Sequence, residues 1–140
     1  MRCRKLERTL IIVKPDAVKR GLTGKILSIL EENDLRIVAM LMTRLSAERA
    51  GAFYAVHREK PFYQNLVSYM TSGECVPAAV EGVDAITLVR ALCGNTDPSK
   101  AEEGTVRAAY GLSVTMNSIH ASDSPSTAQE EVAFFFPDLV

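Results

Sequence analysis

The chain is predicted to fold as one α+β domain over residues 1–140, with a split βαβ arrangement on an antiparallel sheet. Three observations lead there. Its 140 residues suit a single domain. Short β-branched runs alternate with helical periodicities in the order βα–β–αα–β–α–loop–β–α, with no internal repeat, low-complexity tract or linker. A hydrophobic content of 47% against 24% charged residues is enough to build a packed core.

Thr9-Leu-Ile-Ile-Val13 reads as a buried strand because its residues are β-branched or aliphatic without polar interruption. Lys14-Pro15-Asp16 breaks it. A helix is expected from Thr23, which can cap it, with Leu22 and Leu27 as a hydrophobic staple, Ile26, Leu27 and Leu30 on the apolar face and Asn33 ending it. Leu35 to Met42 reads as a second strand. Ser46 caps a helix carrying Ala50, Phe53 and Tyr54 at helical spacing. Pro61 opens another, whose inner face is Phe62, Leu66, Tyr69 and Met70. A third strand is expected from Cys75 to Val80, although Pro77 is awkward in a central strand. Val83 to Leu92 reads as helical, with Ile86 and Val89 inward and Gly94 as terminator. The next twenty or so residues lack periodicity, and a connection that long is usually functional or disordered. Val114 to Ile119 reads as a last strand, and Ser124-Pro125 starts a closing helix as N-cap and N1.

Composition excludes several classes of function. No apolar run approaches the roughly 20 residues of a membrane helix. The basic N-terminus is not followed by an apolar segment, so no signal peptide is expected. Cys3, Cys75 and Cys93 are odd in number and lack CxxC spacing, which argues against structural zinc and a disulfide framework and for a reducing cytoplasm. Sixteen basic against 17 acidic residues give no nucleic-acid footprint overall. Residues 1–25, however, hold eight Lys/Arg against two acidic residues, a local balance of +6, while the rest of the chain carries −7. Such a quarter faces phosphates or is an ordinary solvated surface.

Gly21-Leu-Thr-Gly24-Lys25 imitates a phosphate-binding P-loop, but two residues separate its glycines instead of four and Ile26 follows the lysine, so it is rejected. His57, near the end of an amphipathic helix, reads as a partly buried structural histidine. His120 lies between a strand and a capped helix start, where side chains and backbone N–H groups converge on ligands. Residue spacing alone leaves its role open. Glu131, about two turns into the closing helix, can reach back to it only if the strand end packs beside that helix. A carboxylate on Nδ1–H would fix the tautomer and leave Nε2 free as nucleophile or base. Lys14, Arg90 and Arg107 are isolated cations that, with Thr96, offer donors suited to phosphate oxygens. No carboxylate cluster resembles a protein-built metal site, so any Mg²⁺ is expected to arrive on nucleotide phosphates.

Four collinear segments then carry a resemblance: TLIIVKPDAVKRG, FYAVHREKPFYQNLVSYMTSG, CGNTDPSKAEEGTVRAAYG and NSIHASDSPSTAQEEVAFFF. Together they resemble the bacterial nucleoside diphosphate kinases over nearly the whole chain. The resemblance implies a ferredoxin-like βαββαβ core, that is, a four-stranded antiparallel sheet with added helices and a long nucleotide-binding loop. It implies ping-pong transfer of the γ-phosphoryl group from an NTP to an NDP through a phosphohistidine, and so maintenance of NTP and dNTP pools. On this resemblance His120 is the catalytic histidine, Glu131 its orienting glutamate with Ser122 beside it, and Tyr54 stands near the transferred phosphate. Phosphate ligands fall on Lys14, Arg90, Thr96 and Arg107. Lys14 and Asn117 fall where the family holds the sugar hydroxyls, and Phe62 on the aromatic that stacks on the base, with Leu66 and Val114 lining that slot. Mg²⁺ would be carried by the nucleotide. A homo-oligomer, tetramer or hexamer, is implied, without membrane association and with nucleic acid only as a side activity.

The chain departs from the family pattern at Ala121 (commonly glycine), Glu74 (commonly proline), Pro77 and Ala109 (often aspartate). The last leaves the support of Arg107 in question, and Pro77 predicts a bulge or a lost ladder bond. A nucleotide-binding relative without turnover and a phosphocarrier with a protein donor are the competing readings; Phe62, Arg90, Thr96 and Arg107 describe a nucleotide better than a protein donor.

Overall fold

A computed structural model describes residues 5–139. Cys3, and Arg2 and Arg4 of the basic quarter, lie outside them. The strands are β1 (Leu6–Val13), β2 (Arg36–Met40), β3 (Val76–Val83) and β4 (Ile119–Ala121), joined in one sheet of order β2-β3-β1-β4. Every neighbouring pair is antiparallel. The helices are α1 (Pro15–Lys19), α2 (Thr23–Glu32), α3 (Ala47–Phe53), α4 (Tyr63–Met70), α5 (Ala85–Cys93), α6 (Val106–Tyr110) and α7 (Pro125–Phe135).

Strand β1 is central because both its faces are apolar. Ile11 and Val13 pack under α2 and α5 with Ile26, Leu30 and Val89, while Leu10 and Ile12 pack under α3, α4 and α7 with Ala50, Met70 and Val132. Leu10, Ile11, Ile12 and Val13 are all fully buried, each contributing about 1.5–3 kcal/mol over an exposed position. Period-two alternation thus builds two cores from one strand.

Helix caps follow the sequence in part. Ser46 accepts from the Arg49 N–H at 3.1 Å. Ser124 and Thr127 form a reciprocal capping box ahead of Pro125. Asn33 ends α2 and Gly94 ends α5, at φ +86°. Thr23, by contrast, is the first helical residue; Leu22 holds the N-cap place and no side chain caps the helix. Pro61 lies in a turn before α4 instead of opening it.

Three further expectations are corrected. Lys14-Pro15-Asp16 does not merely break the chain: Pro15 stands at N1 of the five-residue helix α1, where its missing N–H costs nothing. The long connection contains a 3₁₀ turn at Pro98–Lys100 and helix α6. Residues 114–119 are not a strand; only Ile119–Ala121 pair with β1, because Ser118 turns left-handed at φ +76° and its carbonyl accepts the Lys14 N–H at 2.9 Å. Pro77 sits opposite Ile12 in β3, and its carbonyl accepts from Leu41 N at 3.1 Å. Its absent N–H faces that same side, so regular β2 pairing stops at Met40. The bulge itself falls at Val38, between Ile37 and Ala39.

Candidate functional site

A cavity of about 470 Å³ opens where β1 ends and β4 begins. Sheet pairing places His120 opposite Ile12, so its ring points to the α3 and α7 face. There Glu131 meets it: Nε2 lies 2.9 Å from Glu131 Oε1. The Ser122 hydroxyl donates to the same oxygen at 2.6 Å, holding the carboxylate from behind. The rings of Phe53 and Tyr54 stand edge-on to the imidazole, with centroids 5.3 and 6.1 Å away.

This corrects the nitrogen assignment. Glu131 approaches the Nε2 edge because α7 packs beside β1 and Ser122 draws the carboxylate toward the strand. Nδ1, not Nε2, therefore keeps the lone pair when Nε2 carries the proton.

The cations arrive from three elements. Lys14, just past β1, donates from Nζ to Asn117 Oδ1 at 2.9 Å and to the Thr115 carbonyl at 3.1 Å. Burial, followed by the Arg107 charge, brings its pKa from 10.5 to about 8, with Asp16 working against both. Arg107, buried on α6, donates to the carbonyls of Gly94 (2.8 Å) and Ile119 (2.7 Å), and burial lowers its pKa. Its support is thus main-chain carbonyl, which answers the question raised by Ala109, an exposed residue. Arg90 on α5 donates to Ala121 O at 3.2 Å. Asn117 donates in turn to the carbonyls of Thr96 and Val114, both at 3.0 Å, tying the long connection to the sheet end.

Phe62 and Val114, 44% and 57% exposed, line the cavity together with Leu66. The Tyr54 hydroxyl is buried and has no hydrogen-bond partner among the described residues; burial, then the Glu131 and Cys75 charges, pushes its pKa up. The expected site residues other than Glu131 and Ser122 line this one cavity, and those two stand behind His120. His57, Thr115 and Asp123 line it too and were not foreseen as site residues. His57 is partly buried as expected but sits in a 3₁₀ turn after α3, its ring 5.3 Å from that of Phe62. Asp123 was legible in principle, since it directly precedes the Ser124 cap. Chemically, the arrangement offers an oriented imidazole nitrogen, three cations for anionic oxygens and an open apolar slot.

Residues 7–139 match the family profile described as Nucleoside diphosphate kinase. The chain belongs to the nucleoside diphosphate kinase family. It is 52% identical over 134 residues to the nucleoside diphosphate kinase of Dechloromonas aromatica, covering 96% of this chain and 94% of that protein. The nucleoside diphosphate kinase of Archaeoglobus fulgidus is 50% identical, over 95% of this chain and 88% of its own. A crystal structure of the Aquifex aeolicus nucleoside diphosphate kinase superposes with a TM-score of 0.94 at 48% identity, covering 96% of this chain and 98% of that one. The ferredoxin-like fold of the nucleoside diphosphate kinases is therefore the fold of this chain. As a nucleoside diphosphate kinase it is a phosphotransferase that acts between nucleotides.

Proposed function

We propose that the chain moves the γ-phosphoryl group from a nucleoside triphosphate to a nucleoside diphosphate in two half-reactions through a phosphohistidine on His120. The observation that carries this reading is the Nε2 contact with Glu131, which leaves Nδ1 as the nucleophile. In the first half-reaction the Nδ1 lone pair attacks the γ-phosphorus, the bond to the bridging oxygen breaks and the diphosphate leaves with that electron pair. In the second, a terminal oxygen of another diphosphate attacks phosphorus and the N–P pair returns to Nδ1. Glu131 retains the Nε2–H throughout, and Ser122 holds Glu131.

Lys14, Arg90, Arg107 and Thr96 take the phosphate oxygens, consistent with a loose transition state that needs charge stabilisation and in-line placement. Tyr54, neutral because it is buried, supplies a hydroxyl whose natural partner is a phosphoryl oxygen. Lys14 and Asn117 reach the sugar hydroxyls. Phe62 stacks on the base, with Leu66 and Val114 completing the slot, at about 1–3 kcal/mol per base; an apolar slot accepts purines and pyrimidines alike. Among the described residues no group of three His, Cys, Asp or Glu gathers to hold a metal ion. Mg²⁺ would fit this site on the nucleotide phosphates, where it would supply charge neutralisation; among the described residues Asp123 is the one carboxylate lining the cavity. We further propose a homo-oligomer, since the free edge of the sheet at β2 exposes Met40 and Met42 nearby.

Intact mass after brief incubation with Mg–ATP tests the mechanism. One acid-labile phosphoryl adduct is expected on the parent, absent in His120→Ala and discharged by GDP. Nucleotide binding without an adduct would overturn it in favour of a binding relative without turnover.

A further inference from the structure

A buried carboxylate outside the cavity lies two residues from Lys14. Asp16, buried on α1, faces a neighbouring hollow of about 620 Å³ between α1, the end of α4 and residues 112–116. Its backbone N–H donates to the Tyr69 hydroxyl oxygen at 2.8 Å, and that hydroxyl donates back to Asp16 Oδ1. Its second oxygen accepts a long hydrogen bond, 3.4 Å, from the Ser118 hydroxyl. Both partners belong to the surroundings of Lys14: the ammonium lies 5.9 Å from the Tyr69 ring centroid, and the Ser118 carbonyl takes the Lys14 backbone N–H at 2.9 Å. Ser118 also holds a left-handed φ of +76°, a conformation that a non-glycine residue keeps only when its surroundings enforce it. The next residue back, Asn117, carries the oxygen on which Lys14 rests.

We propose that Asp16 is a positioning residue for phosphoryl transfer: by clasping Tyr69 on one side and Ser118 on the other, its carboxylate sets the Lys14–Asn117 pair against the nucleotide. The proposal rests on the phosphotransfer reading above. Electrostatics gives it a second signature. Arg107 from α6, whose charge lowers the Lys14 pKa, lines the same cavity with Arg90 from α5, His120 on β4 and Asp123 ahead of α7, and Tyr69 flanks Lys14 from α4. Asp16 is the anion that opposes the lowering of the Lys14 pKa. Removing its charge lets Lys14 lose its proton at a lower pH, so binding that needs the ammonium should fail earlier on the alkaline side.

The test measures Mg–ADP affinity by calorimetry, with kcat and KM for phosphoryl transfer, between pH 6 and pH 10 on the full chain, its Asp16→Asn variant and its Tyr69→Phe variant. The parent should lose affinity on an alkaline limb near the Lys14 pKa of about 8. Asp16→Asn should move that limb to lower pH by about half a unit or more and raise KM about threefold. Tyr69→Phe keeps the ring and the Asp16 charge; it should raise KM with little movement of the limb. An Asp16→Asn limb that coincides with the parent's, or a parent that binds Mg–ADP without a limb, overturns the proposal. If Asp16→Asn does not fold, an unchanged KM in Tyr69→Phe overturns it alone. A parent that binds Mg–ADP but takes no phosphoryl group fails the phosphotransfer reading, and the binding limb still judges Asp16.

Discussion

Among the described residues the His120 ring is hydrogen-bonded at Nε2 alone, and on the proposed mechanism the strength of that contact sets how nucleophilic Nδ1 becomes. Glu131→Gln preserves an oxygen 2.9 Å from Nε2 but removes its charge. The imidazole then loses electron density as well as orientation, and kcat should fall about tenfold or more, equivalent to about 1.4 kcal/mol of barrier. Single-turnover phosphorylation by Mg–ATP would read this directly, with nucleotide affinity unchanged. Ser122→Ala, which removes one of the holders of Glu131, should cost less, about 1 kcal/mol for a single hydrogen bond. An equal loss in both variants would mean that Ser122 itself meets the substrate. Phe62→Ala acts at the other end of the cavity and should raise KM for every nucleotide by about 1–3 kcal/mol of lost stacking while sparing kcat at saturation.

Helix α7 and the α5 terminus are the elements that aim these side chains. Ser124→Ala removes the cap of the helix that carries Glu131, for an expected loss of about 1 kcal/mol in urea unfolding. Gly94→Ala is harsher: a Cβ there would lie 2.5 Å from Thr105 Oγ1, at a φ of +86°. Its carbonyl also holds Arg107. A loss of about 1–3 kcal/mol, together with weaker ADP binding, is expected by thermal melting and calorimetry. These two positions were legible in the sequence because a cap and a terminating glycine are local devices. So were β1, α2 and α5, whose periodicity extends over a full element. Helices α1 and α6 were not, since five residues each are too few to show a period. Val114 to Ile119 alternates like a strand, yet the left-handed turn at Ser118 depends on contacts with Lys14 and Asp16, which come from the opposite end of the chain. The nitrogen chosen by Glu131 was hidden for the same reason: spacing brings α7 near β4 but does not say which edge of the imidazole it meets.

Over the whole molecule, the described basic residues of the N-terminal quarter take different places. Arg8 pairs with Glu81 at 2.5 Å, Lys14 turns into the cavity, and Lys19, Arg20 and Lys25 remain exposed. Sedimentation velocity should show a homo-oligomer; a species of 15.3 kDa at micromolar concentration would mean the β2 edge is tolerated unpaired. The cations of the cavity make a different contribution. Lys14 rests on an amide oxygen and a carbonyl, and Arg90 and Arg107 on carbonyls, so among the described residues each is hydrogen-bonded without a salt bridge, and Asp16 offsets the Lys14 charge only in part. The three cations consequently repel one another, and on the proposed function the polyphosphate of a nucleotide would be the counter-ion that the fold itself lacks. Mg–ADP at a hundred times its dissociation constant should stabilise the native state by about 2.7 kcal/mol, visible as a higher melting temperature. Raised salt, by screening the same repulsion, should narrow the gap between the empty and the loaded protein.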